Sequence, residues 1–296
     1  MTEESLTRER ALGIGGRVAQ CEGWPAQELR VLGPIGENAN LLLPDAGVVL
    51  RICSQTGLLR ARRELAVAQW LKESGVPAVR TRSEVPRLDD SGWVITLWDF
   101  VPQTSPGSPA VIGGALRRLH RLRAPEKLSL PALDPFAGID EYIHRSALGA
   151  LDKEFLQAHL AGLRFEASLL NYAVSPGPVH GDAHRKNIVQ NTDGQAVVLD
   201  LERFSVGARE WDLVVAAVYE RVGWYTAEEY RAFVDAYGWD VRDWSGFETL
   251  AAVRELRMTA WLCARTAREP RLLPEARRRV VSLRDPSLSK RWMPGT

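Results

Sequence analysis

The stretch Val179-His180-Gly181-Asp182-Ala183-His184-Arg185-Lys186-Asn187 constrains this chain more than any other segment. Thirteen residues beyond Asn187, Asp200 closes the apolar run 196–199. An Asp, an Asn five residues later, and a second Asp at the end of a buried strand suit phosphoryl transfer. One carboxylate orients a hydroxyl or takes its proton. The Asn and the other carboxylate are hard oxygen ligands of the kind magnesium takes beside phosphates.

The local structure follows from residue types. Pro178-Val179 leads into a polar loop carrying Asp182 and Asn187, and Ile188-Val189 is a short apolar strand. Asn191-Thr192-Asp193-Gly194 is turn chemistry, and residues 196–199 return as a second strand. A tight hairpin therefore carries Asn187 and Asp200 to one end of two neighbouring strands. Alternating His180, Asp182 and His184 also allow a second reading, a zinc or iron hydrolase. The other histidines, His120, His144 and His159, lie on helical patterns with no paired ligand nearby.

His-Gly-Asp-x-His-x-x-Asn followed by Asp200-Leu201-Glu202 resembles the aminoglycoside phosphotransferase and choline kinase family, whose fold is protein-kinase-like. The eighteen-residue separation of Asp182 and Asp200 is also kinase-like. The resemblance implies that Asp182 is the catalytic base and that Asn187 and Asp200 bind Mg2+. It implies ATP or GTP as the phosphoryl donor and a small-molecule hydroxyl as the acceptor. Val206 to Leu213 resembles the family's Gly-x-x-x-x-Asp-Leu segment, which packs under the catalytic loop. Leu119-His120 resembles a family helix whose His braces that loop.

The N-terminal half reads as strand 29–32, loop 33–40 and apolar run 41–43. An ordinary hairpin and a phosphate-covering loop both fit. In the family such a loop often ends in Asn, as at Asn40. Strand 48–52 carries Arg51, and the resemblance assigns a cation there to the nucleotide phosphates. Glu64 lies on the apolar stripe Val67, Ala68 and Leu71 of a helix over 63–71, so it needs a cation. Arg51 is the first choice of partner, with Arg60 or Lys72 the surface alternative. Residues 93–98 form a buried strand. By resemblance, Asp99 C=O and Val101 N–H then meet the nucleotide base, with Trp98 at the back of the pocket.

These elements predict an α+β chain, and the resemblance implies a bilobal protein-kinase-like fold. A small sheet-rich nucleotide-binding lobe covers 1–98, a hinge and linker 99–109, and a larger, mostly helical catalytic and acceptor-binding lobe 110–296. Helices are expected over 111–123, 140–150, 154–173 and 213–222. A net charge of +1 gives no electrostatic case for nucleic acid or membrane as partner. No apolar run reaches membrane length, and Met1-Thr2-Glu3-Glu4-Ser5 is no signal peptide. The scattered Cys21, Cys53 and Cys263 suit reduced thiols and a cytoplasmic location.

Acceptor choice is expected in the last third. Between Glu202 and Glu255 eleven acids face six arginines, an excess that suits a cationic acceptor such as an aminoglycoside, another antibiotic or choline. Solvated helix faces give the same excess. Glu202, Asp212 and Asp235 are the acidic candidates, with Glu220, Asp240 and Glu248 beside them. Trp224 and Trp239, with Trp244, could instead stack on a neutral sugar or nucleoside. The readings left open are an antibiotic kinase, a metabolic kinase of choline, sugar or nucleoside type, and a non-catalytic binding module of the same fold.

Overall fold

The computed structural model describes residues 5–36 and 38–295. Met1 to Glu4, on which the leader reading partly rests, lie outside the described residues, as do Glu37 of the expected phosphate loop and Thr296. In chain order the elements are α1 (Arg8–Glu22), β1 (Arg30–Leu32), β2 (Asn38–Leu43), β3 (Val48–Cys53), α2 (Leu58–Glu73), β4 (Arg87–Leu88), β5 (Val94–Asp99) and β6 (Ser105–Pro106). There follow α3 (Pro109–His120), α4 (Ile139–Arg145), α5 (Ala150–Ser168), β7 (Gly177–Val179), β8 (Ile188–Gln190), β9 (Ala196–Val198), β10 (Ser205–Gly207), α6 (Glu210–Arg221), α7 (Ala227–Tyr237), α8 (Phe247–Arg265) and α9 (Leu273–Arg284).

They form two compact units. The first comprises the N-terminal segment to Gly107, Ala124–Leu130 and Lys186–Phe204. Its antiparallel sheet has the order β1-β2-β3-β5-β4. Strand alternation gives the sheet two unlike faces. Leu41, Leu43, Leu50, Ile52, Ile95 and Leu97 share one core with Ala11, Ile14 and Ala19 of α1. The opposite face carries Asn40, Arg51 and Thr96, which are cross-strand neighbours in register. Helix α1 was not expected from the sequence, although Thr7 caps its first turn by accepting the Arg10 N–H and Gly23 ends it at φ 69°.

A second sheet of this unit has the order β6-β8-β9. The expected hairpin is present: Asn191 Oδ1 accepts the Asp193 and Gln195 N–H groups at 3.0 and 2.9 Å, and Gly194 takes φ 73°. The segment after α2 anchors β9, through Val198 N–H to Pro77 O and Val79 N–H to Val198 O, both 2.9 Å. Thr104 to Pro109, read as a linker, is partly ordered pairing: Ser105 stands opposite Gln190, and Pro109 already begins α3.

The second unit, Ser108–Arg123, Pro131–Arg185 and the chain from Ser205 onward, is helical apart from the β7-β10 pair. Helix α8 is buried along most of its length, and α4, α5, α6 and α9 pack on it. Helix α3 lies against α7. The contact passes through Gly113, where a Cβ would stand 2.4 Å from the Phe233 carbonyl oxygen. The helix expected over 140–150 ends at Arg145, because Ser146 turns to an extended conformation and its hydroxyl donates to Ile143 O. Helix α5 starts and stops earlier than expected, at Ala150 and Ser168. A sheet-rich N-terminal part and a helical C-terminal part make the chain α+β, as its sequence pattern predicts.

Candidate active site

In the second unit, β7 leads directly into His180-Gly181-Asp182. Gly181 takes φ 82°, a left-handed turn that a side chain would strain. The turn aims two consecutive backbone N–H groups at one carboxylate of α6. His180 N–H donates to Asp212 Oδ2 at 2.7 Å, and Gly181 N–H to Asp212 Oδ1 at 2.9 Å. The Trp211 indole N–H donates to Gly181 O at 2.9 Å. His120 Nε2 lies 3.1 Å from Asp212 Oδ2, and His120 Nδ1 lies 2.9 Å from the Tyr237 hydroxyl. Burial pushes the Tyr237 phenol up to about 12, so it stays a hydroxyl donor. The network then assigns the His120 Nε2 proton to Asp212. Asp212 is buried under the loop, which corrects its candidacy as an acceptor ligand. It matches the other expectation, that this segment packs beneath the catalytic loop.

Asp182 stays 27% exposed while Gly181 and Ala183 on either side of it are buried. Its Oδ1 accepts from Arg254 Nη1 at 3.0 Å, and its Oδ2 lies 3.7 Å from His184 Nε2. Arg254 comes from the middle of α8 and was not singled out from the sequence.

In the first unit, Ile188 pairs with Val198, and the Leu199 N–H donates to Asn187 O at 2.7 Å. Asn187 and Asp200 therefore stand at one end of the β8-β9 hairpin. Asp200 takes φ 52° and ψ 68°, which turns it out of the strand at an energetic cost for a non-glycine residue. Its side chain is 48% exposed. One carboxylate and one amide oxygen, with the remaining positions left to phosphates and water, fit magnesium well. No cluster of three or more His, Cys, Asp or Glu able to hold a metal ion occurs among the described residues, so the hydrolase reading gains no ligand set.

Arg51 extends from β3 on the polar face of the sheet. Its Nη1 donates to Glu64 Oε2 of α2 at 2.9 Å, making the expected pair. Its Nη2 donates to Glu202 at 2.5 Å, and Asp200 Oδ1 lies 4.0 Å away. Burial opposes the Arg51 charge, but Glu64, Glu202 and Asp200 together hold its pKa above the ordinary value. Glu64 has the opposite balance. Burial pushes it up to about 7; Arg51 pulls it down, and Glu202 and Asp200 push it further up. One guanidinium shared among three carboxylates leaves the most buried of them under-compensated. Arg60 also meets Glu202, at 3.4 Å, and donates to Asn38 Oδ1 at 3.2 Å. Glu202, expected to meet the acceptor, is instead part of this arginine cluster.

Asn40 lies opposite Arg51 within β2, inside the strand and not at a loop end. Trp98 is buried on the Arg51 face, its indole N–H donating to Thr96 Oγ1 at 2.8 Å. The Asp99 backbone N–H donates to Arg80 O at 2.8 Å, and its carboxylate accepts from Arg82 at 2.6 Å. The Phe100 N–H donates to Gly47 O, and Val101 follows half-buried.

Most of the other acceptor candidates are engaged within their own unit. Glu220 lies 4.0 Å from Arg242, whose stronger partner is Asp240 at 2.8 Å, and Glu248 pairs with Arg221 at 2.8 Å. The Trp224 and Trp244 indoles donate to Trp292 O and Asn171 O. Asp235 is exposed on α7, and Trp239 is half-buried just beyond its end. Part of the acidic excess read from the sequence is thus spent on internal ion pairs, those of Glu202, Glu220, Asp240, Glu248 and Glu255.

A kinase-like fold with this loop, hairpin and arginine–glutamate pair defines a class that comparison with known proteins narrows to a family. The model of the phosphotransferase enzyme family matches residues 36–256. The chain belongs to that family, one of small-molecule kinases, as the motif implied. No curated protein matches the sequence. Among solved structures, a choline/ethanolamine kinase family protein from Mesorhizobium loti is 19% identical, with 92% of this chain and 94% of that chain covered and a TM-score of 0.62. The amicoumacin kinase hAmiN, in complex with AMP-PNP, Ca2+ and Ami, is 12% identical over 97% and 98%, with a TM-score of 0.72. A microcompartment-associated aminopropanol kinase is 17% identical over 95% and 99%, with a TM-score of 0.70. At these identities the likeness establishes the protein-kinase-like fold. No helix among the described residues is long and apolar enough to cross a membrane.

Proposed function

We propose that the chain transfers the γ-phosphoryl group of ATP or GTP to a hydroxyl of a small molecule, in a magnesium-dependent reaction. The observation that carries this reading is the loop held over Asp212. Three hydrogen bonds, two to Asp212 and one from Trp211, immobilise it there while Asp182 stays accessible. Asp182 orients the acceptor hydroxyl and takes its proton late, since a loose transition state needs little early deprotonation. Asn187 and Asp200 would hold magnesium, which when bound neutralises charge on the phosphate oxygens. Arg51, backed by Glu64, would meet those oxygens in competition with Glu202. The Asp99 carbonyl and the Val101 N–H are the groups offered to the nucleotide base.

For the acceptor, likeness to an amicoumacin kinase supports an antibiotic, and likeness to an aminopropanol kinase supports a metabolic amino alcohol. The internal pairing of Glu220, Asp240 and Glu248 weakens selection by a cluster of carboxylates. Of the acidic candidates, Asp235 is exposed and pairs with no arginine among the described residues. Nucleotide consumption with a panel of aminoglycosides, amicoumacin, choline, aminopropanol, sugars and nucleosides tests the reading. Asp182→Asn should lower kcat about a hundredfold, and Asp200→Ala should raise the magnesium concentration needed for half-maximal rate. Wild-type turnover in Asp182→Asn would refute the role of Asp182.

A further inference from the structure

Arg254 is an anomaly in α8. It is 4% exposed, a long cation in a helix buried along most of its length. Its neighbours in sequence are spent elsewhere: Glu255 pairs with Lys290 and Arg221, and Arg257 donates to Pro135 O and Ala137 O. Arg254 instead reaches Asp182, 72 residues away in sequence, with Nη1 3.0 Å from Oδ1. Tyr219 of α6 favours the charge of the guanidinium, and the Trp211 ring lies beneath it, 6.0 Å from centroid to Cζ. Trp211 also holds Gly181 O, so the loop and the arginine rest on one side chain.

A buried ion pair is weak evidence for stability, because apolar residues of similar volume often replace one without loss. What a buried arginine supplies is a fixed direction and a fixed charge. Here the carboxylate so fixed stays partly exposed between the buried Gly181 and Ala183. With Oδ1 held by Arg254, rotation about the Cβ–Cγ bond is restricted, and Oδ2 is turned to the side of His184. An adjacent guanidinium also favours the ionised carboxylate, making it a weak base that orients a hydroxyl at neutral pH.

We propose that Arg254 is a positioning residue for phosphoryl transfer, clamping Oδ1 of Asp182 so that Oδ2 meets the acceptor hydroxyl in a single orientation. The proposal rests on the reading of Asp182 given above. It assigns Arg254 no contact with nucleotide or acceptor. Its effect therefore falls on kcat and on the titration of Asp182, and leaves nucleotide affinity alone.

The test uses the full chain with Mg·ATP as the probe and water as the phosphoryl acceptor. It compares wild type with Arg254→Met, Arg254→Lys and Asp182→Asn. Asp182 is followed through its 13C-carboxyl resonance, assigned by its loss in Asp182→Asn. Arg254→Met should move the Asp182 titration upward and lower kcat at least tenfold, with Mg·ATP affinity within about twofold of wild type. Arg254→Lys should restore the titration and only part of kcat, because a point charge replaces the charge and not the fork. If Arg254→Met does not fold, Arg254→Gln takes its place in the same comparison. An unmoved Asp182 titration in the neutral variant, or wild-type kcat, overturns the proposal. If Asp182→Asn itself turns over normally, the assignment of Asp182 fails, and Arg254 falls with it. Collapse of Asp182→Asn beside a normal Arg254→Met sinks the clamp alone.

Discussion

Replacing Asp212 by Asn tests the support beneath the catalytic loop with almost no change in volume. The aspartate accepts three hydrogen bonds, two from consecutive backbone N–H groups and one from His120, in a site sealed from water. An asparagine keeps one acceptor oxygen and presents an NH2 in place of the other. If Oδ1 stays an acceptor toward Gly181, the amide group faces both His180 N–H and His120 as a donor. Rotating the amide moves the conflict to Gly181. Either way a hydrogen bond to a charged acceptor is lost, at about 1.5–3 kcal/mol, and a buried donor is left unsatisfied, at about 1–3 kcal/mol more. The expected destabilisation is about 3–5 kcal/mol, a large part of the roughly 5–15 kcal/mol that stabilises a domain. Urea titration followed by tryptophan fluorescence should show the midpoint displaced at unchanged slope. Nucleotide turnover should fall because Asp182 loses its fixed base. A midpoint within about 0.5 kcal/mol of wild type, outside the range for lost buried hydrogen bonds, together with a raised acceptor KM, would refute the bracing role and return Asp212 to the acceptor site.

Glu64 gives a prediction in pH. Its pKa is raised from 4.5 to about 7, so the folded chain holds this proton more tightly than the unfolded one. Its contribution to stability is therefore largest below 4.5 and declines as pH rises to about 7. Thermal melts across that window should show a shallower decline in Glu64→Gln, and an identical slope would remove the assignment. Gly113→Ala should destabilise the second unit by about 1–3 kcal/mol, the cost of overpacking, because its Cβ would meet the rigid Phe233 carbonyl at 2.4 Å. A neutral result in urea unfolding would mean that α3 and α7 can separate without penalty.

What could be read from the sequence was what local spacing controls. Glu64 sat on an apolar helical stripe, which demanded a cation, and Arg51 supplied it. The Asn191-Thr192-Asp193-Gly194 turn required a hairpin, and the hairpin brought Asn187 and Asp200 to one end. Arg254 left no local trace, because its partner is 72 residues away and its helix reads as ordinary core. The carboxylates of the last third misled for the same reason: composition records Asp240 and Glu248 but not the arginines that fold against them. Helix α1 was missed because its apolar stripe is interrupted by glycines and charges, and only Thr7 and Gly23 mark its ends.

The unit that begins at the N-terminus is not encoded in one piece. Its β8-β9 hairpin is supplied from residues 186–204, after the chain has already built much of the second unit. A product cut at Gly107 would lack the partner strand of β6 and the Val198 carbonyl that accepts the Val79 N–H. The gene therefore has no single crossover point at which a nucleotide-handling half could be exchanged whole between relatives. Recombination at the apparent linker would separate Arg51 from Asp200, so this unit is inherited together with the loop that interrupts it.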